Sequence, residues 1–94
     1  HQVDVQEVLF FRADDKYTCV QTASAEHLIR TPIAELGAQL DPGQFVQVHR
    51  SAIVNLGSIS HVVRGVNETA DIHLKGRTEV LRASRSFTHH FKQM

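Results

Sequence analysis

Apolar and polar positions along this chain alternate in short runs, interrupted once by a different period. Residues 8–13 and 17–22 are rich in apolar and β-branched side chains, which favour extended backbone. Asp14, Asp15 and Lys16 between them read as a turn, because Asp readily bonds its own backbone. The two runs predict a hairpin, with Tyr17 facing the core and its hydroxyl at the rim. Residues 23–26 turn the chain again and lead to a strand near 27–30. The period then changes. Thr31 is placed to cap a helix and Pro32 to open it, while Ile33, Leu36 and Leu40 fall on one helical face. Gly37 weakens this helix and Asp41-Pro42-Gly43 ends it, so it spans about two turns.

Beyond it the strand pattern returns. Residues 45–48 and 52–54 are apolar and flank the polar triplet His49, Arg50, Ser51, with Asn55 closing the second run. Such a triplet sits on a connection held by stiff strands, the support that recognition requires. Residues 59–65 alternate with Ile59, His61 and Val63 on one face. Residues 66–68 turn the chain, and 70–74 place Ile72 and Leu74 together. Lys75-Gly76-Arg77 reads as a tight hairpin connection with a flexible Gly. Residues 78–82 return with Val80 inward, and Ser84 caps a last helical segment through Phe87 and Phe91. The pattern predicts a mostly β domain with one short helix after Thr31.

Length and composition narrow the class. Ninety-four residues make one domain with a modest core. No apolar run is long enough to span a membrane, and residues 1–4 have no secretory pattern. Without an initiator Met, the chain reads as a fragment, residues 1–94, of a longer protein. The single cysteine, Cys19, has no internal disulfide partner and reads as a small buried hydrophobe, which fits a reducing cytoplasm.

Formal net charge is zero, but its distribution is uneven. Residues 1–48 carry three basic residues against seven acids, a net of −4; residues 49–94 carry seven against three, a net of +4. Asymmetry of this kind hints at a polyanionic partner, since a local field counts for more than net charge where a face meets phosphates.

Catalytic and metal chemistry find little support. Ser51 and His49 stand two apart with no G-x-S-x-G frame, and no Gly-rich phosphate loop exists. His89 and His90 are adjacent, with no Cys or carboxylate cluster near them, so no metal site and no cofactor are expected. The binding candidates are basic and polar residues at turns. Arg85, beside a helix start, suits a guanine edge or a phosphate, or is a solvated surface residue. Arg50 contacts a partner or pairs with an acid such as Asp41. His49 shapes its turn, Ser51 bonds backbone or phosphate, and Asn55 satisfies backbone groups at a strand end or reaches a partner. Lys16 on its turn suits a phosphate, against the opposing charge of Asp14 and Asp15. Arg77 and Lys75, with Arg64 and Arg82, form a flanking phosphate clamp or a solvated hairpin.

Four ordered blocks resemble one family. Phe45, His49, Arg50, Ser51, Ile53, Val54 and Asn55 match the signature of the LytTR-type DNA-binding domain, the output module of many bacterial response regulators. Residues 8–17, 30–36 and 81–87 match its other blocks in order and spacing, so the resemblance covers nearly the whole chain. It implies short antiparallel sheets packed together with one or two short helices, in a three-sheet arrangement, with a further strand before Val3. It implies sequence-specific binding of double-stranded DNA in bacterial transcription regulation. Members bind as pairs on direct repeats, with an N-terminal receiver or other regulatory domain controlling dimerisation. Arg85 and Arg50 are then the residues nearest base edges. The loop of Lys16, Tyr17 and Thr18 reaches a second major groove, with Ser51, Arg77 and Arg82 on the backbone and His49 and Asn55 beside them. The alternative is a small β module for protein contact without DNA.

Overall fold

The computed structural model describes residues 5–66 and 69–84. Eight strands and one helix follow in order: β1 (Val8–Asp14), β2 (Tyr17–Thr22), β3 (Glu26–Ile29), α1 (Ile33–Gln39), β4 (Phe45–His49), β5 (Ala52–Asn55), β6 (Ile59–Arg64), β7 (Ala70–Leu74) and β8 (Val80–Ala83). All pairings are antiparallel. They build a five-stranded sheet in the order β3-β2-β1-β5-β4 and a three-stranded sheet in the order β6-β7-β8. The described residues thus form two sheets, where the resemblance implied three.

Each face of the larger sheet has its own core. On one face Val8, Phe11, Val20, Phe45 and Ile53 pack against Ile33 and Leu36 of α1. On the other, Phe10, Val48, Ala52 and Val54 meet Ala70, Ile72, Leu74, Leu81 and Ala83 of the smaller sheet. The order is helix, sheet, sheet. Adjacent Phe10 and Phe11 point into opposite cores because strand side chains alternate. Burying each such side chain contributes roughly 1.5–3 kcal/mol.

Bulges adjust this alternation. The β1–β2 register shifts between Val8 and Phe10, so Val8 joins the helix side while Leu9 packs with Phe10 on the sheet side. A second shift lies between Gln47 and His49 on β4. A third, between Ile59 and His61 on β6, corrects the predicted face. The extra residue inverts the parity, so Val62 packs inward and Val63 is exposed. His61 stacks on its cross-strand partner His73 on the outside, ring centroids 4.3 Å apart. On β8 the inward residues are Leu81 and Ala83, not Val80, because Leu81 pairs with the buried Ile72 and Val80 with the outer His73.

Local chemistry sets the connections. The β1–β2 link is two residues, Asp15 and Lys16, and Asp15 takes φ +52°, a conformation Asp tolerates better than most residues. Gly76, at φ +69°, makes the β7–β8 turn, as the sequence predicts. The helix start differs from expectation. Pro32 is the capping residue, with extended backbone and no side-chain cap, and its carbonyl accepts from Glu35 and Leu36. The Thr31 carbonyl is taken instead by the Thr18 hydroxyl at 2.6 Å, which ties the helix entry to β2.

Candidate nucleic-acid interface

The register brings three segments to one end of the molecule. The β1–β2 tip carries Asp14, Asp15, Lys16 and Tyr17. Beside it lies the β4–β5 turn of His49, Arg50 and Ser51, since the Ser51 carbonyl accepts from Ala13 N–H at 2.8 Å. The end of β8 joins them where the Ser84 N–H donates to the Val48 carbonyl at 2.9 Å. Arg64 closes β6 at the same end, because it pairs with Ala70 and Ala70 pairs with Ala83.

The turn is internally braced. His49 Nδ1 accepts from the Ser51 N–H at 3.2 Å and lies 2.8 Å from the Ser51 hydroxyl. Gln47 adds a bond from its amide to the His49 carbonyl. His49 is half-buried and Arg50 exposed. The turn therefore holds its own shape while presenting a cation. Among the described residues Arg50 has no ion-pair partner; Asp41 instead accepts from the Gly43 N–H at 2.9 Å.

Other candidates fall elsewhere. Thr18 and Asn55 are 2% and 7% exposed. Asn55 donates to the Val8 carbonyl at 2.8 Å and accepts from the Gly57 N–H at 2.9 Å, which fixes β5 to β1 and shapes the following 3-10 turn. Both residues are framework in this fold, because their polar atoms are used inside it. Tyr17 is 39% exposed rather than core-facing, with the Arg30 guanidinium 5.9 Å from its ring centre. As the first residue of β2, opposite Asp14, it lies past the packed core.

Arg77 and Arg82 do not form a common clamp. The β7–β8 turn lies at the opposite end, where Lys75 N–H donates to the Ser58 carbonyl. Arg77 is bound there to the Glu79 carboxylate through two guanidinium nitrogens. Arg82, on the outer face of β8, pairs with Asp71 at 3.2 Å, but its side chain is 74% exposed. An exposed pair of this kind is worth little and exchanges readily. Arg85, with Phe87, His89, His90 and Phe91, lies outside the described residues, although Ser84 delivers the chain to the β4–β5 turn.

Cys19 is buried, as expected, and its thiol is pushed from 9.0 up to about 11, first by burial and then by the Glu26 carboxylate, which accepts from it. The described residues contain no group of three or more potential metal ligands. No helix among them is long and apolar enough to cross a membrane.

This arrangement of two packed sheets with a signature turn at one end has known counterparts. The LytTr DNA-binding domain family matches residues 1–94, and the chain belongs to that family. A response regulatory protein of Vibrio cholerae is 40% identical over 98% of this chain and 36% of its own length. The transcriptional regulatory protein YpdB of Escherichia coli is 29% identical over 96% of this chain and 37% of its length. The positive alginate biosynthesis regulatory protein of Pseudomonas aeruginosa is 32% identical over 79% of the chain and 29% of its own length. The chain thus spans about a third of the length of these relatives. A LytTr DNA-binding domain from Bacillus cereus shares the fold, with a TM-score of 0.89 and 24% identity over 97% of this chain and 83% of the other. The chain is therefore a DNA-binding domain of the LytTr type.

Proposed function

We propose that the domain reads duplex DNA by sequence, with the end that gathers the β1–β2 tip, the β4–β5 turn and the end of β8. The observation that carries this is the braced His49–Ser51 turn, which holds an exposed Arg50, without an ion pair among the described residues, beside the β1–β2 tip and Ser84. Arg50 and Arg85 are assigned to base edges or their vicinity, because a guanidinium fork matches the acceptors of guanine. Lys16, Tyr17, Ser51 and Arg82 are assigned to the backbone, where contacts position without specifying. His49 acts from within, by bracing the turn, while Thr18 and Asn55 serve the fold. Arg77 is left out, since it stands at the other end and is neutralised by Glu79.

The relatives support a wider setting. Their greater length supports an additional region in the whole protein, and the name of the Vibrio protein supports a receiver-controlled response regulator. Two copies binding as a homodimer on direct repeats, spaced near multiples of a helical turn, would lie on one side of the duplex. The domain then works as a non-catalytic output module in the bacterial cytoplasm. Selection of bound duplexes from a random pool at low salt tests this, with the chain alone and fused to a dimerising segment. Enrichment of a paired direct-repeat motif is the expected result. Random duplexes from both forms would overturn it and favour a module for protein contact.

A further inference from the structure

Arg12 and Arg30 count in the sequence only as charges, but the fold sets them on one sheet face. Arg12 is directly opposite Cys19, Cys19 opposite Leu28, and Asp14 opposite Tyr17. Residues directly opposite share a face, so all of these line one side of the sheet. Arg30 follows Ile29 on the same side as Leu28, and its guanidinium lies over the Tyr17 ring at 5.9 Å. The Arg12 guanidinium lies over the Phe10 ring at 5.6 Å. Both arginines are exposed, and among the described residues neither has an ion pair, unlike Arg77 and Arg82.

Their setting suits a phosphate. A guanidinium held by a ring contact keeps its N–H edge available in its own plane, and that fork matches a phosphate bidentately. The ring also restricts the side chain before binding, so less freedom is lost on contact. Arg12 lies opposite Ala52, the residue after Ser51, and Arg30 covers Tyr17, the residue after Lys16. The two cations therefore accompany the two tips assigned above to DNA. The same face holds two acids. Glu26 already accepts from the Cys19 thiol, and Asp14 lies between Arg12 and Tyr17.

We infer that Arg12 and Arg30 are additional phosphate contacts, which extend the interface from the two tips along the exposed margin of that sheet face. This rests on the DNA-binding reading above. They supply affinity without sequence preference, and Asp14 opposes them.

The test is the affinity of the chain for a selected duplex and for a scrambled one across a series of salt concentrations. Arg12→Gln and Arg30→Gln should each reduce the slope of log affinity against log salt by about 0.9, the value for one lost phosphate contact on duplex DNA. The ratio of specific to scrambled affinity should stay within about twofold, since phosphate contacts act uniformly across sequences. Arg12→Lys and Arg30→Lys keep the charge and should keep the slope, which separates lost contact from lost fold. Asp14→Asn should tighten binding to both duplexes. Slopes for both Gln variants equal to that of a normally salt-dependent parent would overturn the inference and leave the DNA reading intact. A parent with no salt-dependent DNA binding would overturn both.

Discussion

The backbone N–H of Ser84 donates to the carbonyl of Val48 at 2.9 Å. Val48 lies in the β4 bulge just before His49, and Ser84 follows the last strand of the smaller sheet. One bond therefore joins the two sheets where the signature turn begins. It makes the approach of Ser84 to that turn a consequence of sheet packing.

Replacing Arg50 by Ala should weaken binding to a selected operator by about 1–3 kcal/mol and relax preference at one base position, the signature of a lost base contact. Arg77→Ala should change affinity by less than about twofold, because that side chain is at the far end and occupied by Glu79. Fluorescence anisotropy titrations on one duplex compare them. Equal losses for both would contradict the placement of the interface.

His49 is predicted to act through shape. His49→Ala removes the acceptor for the Ser51 N–H and the partner of its hydroxyl. Folding stability should fall by about 0.5–1.5 kcal/mol, the net worth of a hydrogen bond. DNA affinity should drop at an unchanged salt slope, since no phosphate contact is lost. Ser51→Ala keeps the backbone bond and should cost less stability. A salt slope reduced by one full contact would make His49 a direct binder.

Asn55 should matter for folding. Asn55→Ala leaves the buried Val8 carbonyl and the Gly57 N–H without their partner. The expected loss is about 1–3 kcal/mol, read as a lower urea midpoint with an unchanged slope. Under conditions where the variant is folded, its operator affinity should remain within a few-fold of the parent.

The Cys19 thiol should resist alkylation while the domain is folded and react freely once urea unfolds it, because burial and Glu26 hold it protonated. The pH consequence follows from the raised value. Its contribution is fully present below pH 9.0 and is lost as pH rises through about 11. Melting temperatures across that window should decline less in Cys19→Ala than in the parent.

Much of the fold was legible because strand patterns and turn residues are local signals. The hairpin around Asp15, the Gly76 turn and the short helix are all where the sequence places them. The errors share a cause. Strict alternation put Ile59, His61 and Val63 on one face, but a bulge after Ile59 inverted the parity of the residues that follow. Val80 was read as the inward residue of its run, while cross-strand pairing with Ile72 selected Leu81. Neither a bulge nor a register is encoded in one strand's own pattern.

The site was legible where one segment carries it, as with His49, Arg50 and Ser51. It was not legible where several strands contribute. Arg12 and Arg30 are eighteen positions apart and meet the interface only through the pairing of β1, β2 and β3. The switch from the apolar pair Phe10-Phe11 to Arg12 just before a hairpin was the available signal, since it sets a cation beside the tip.

The most direct measurement is the mapping of backbone amide shifts as an operator duplex is titrated into the isotope-labelled chain. The account predicts the largest changes at residues 12–17, 49–52 and 82–84, with the 3-10 turn at 56–58 and the β7–β8 turn at 75–77 nearly unmoved. Changes centred on 56–58 and 75–77, with 49–52 unmoved, would contradict it and put the DNA at the other end of the molecule.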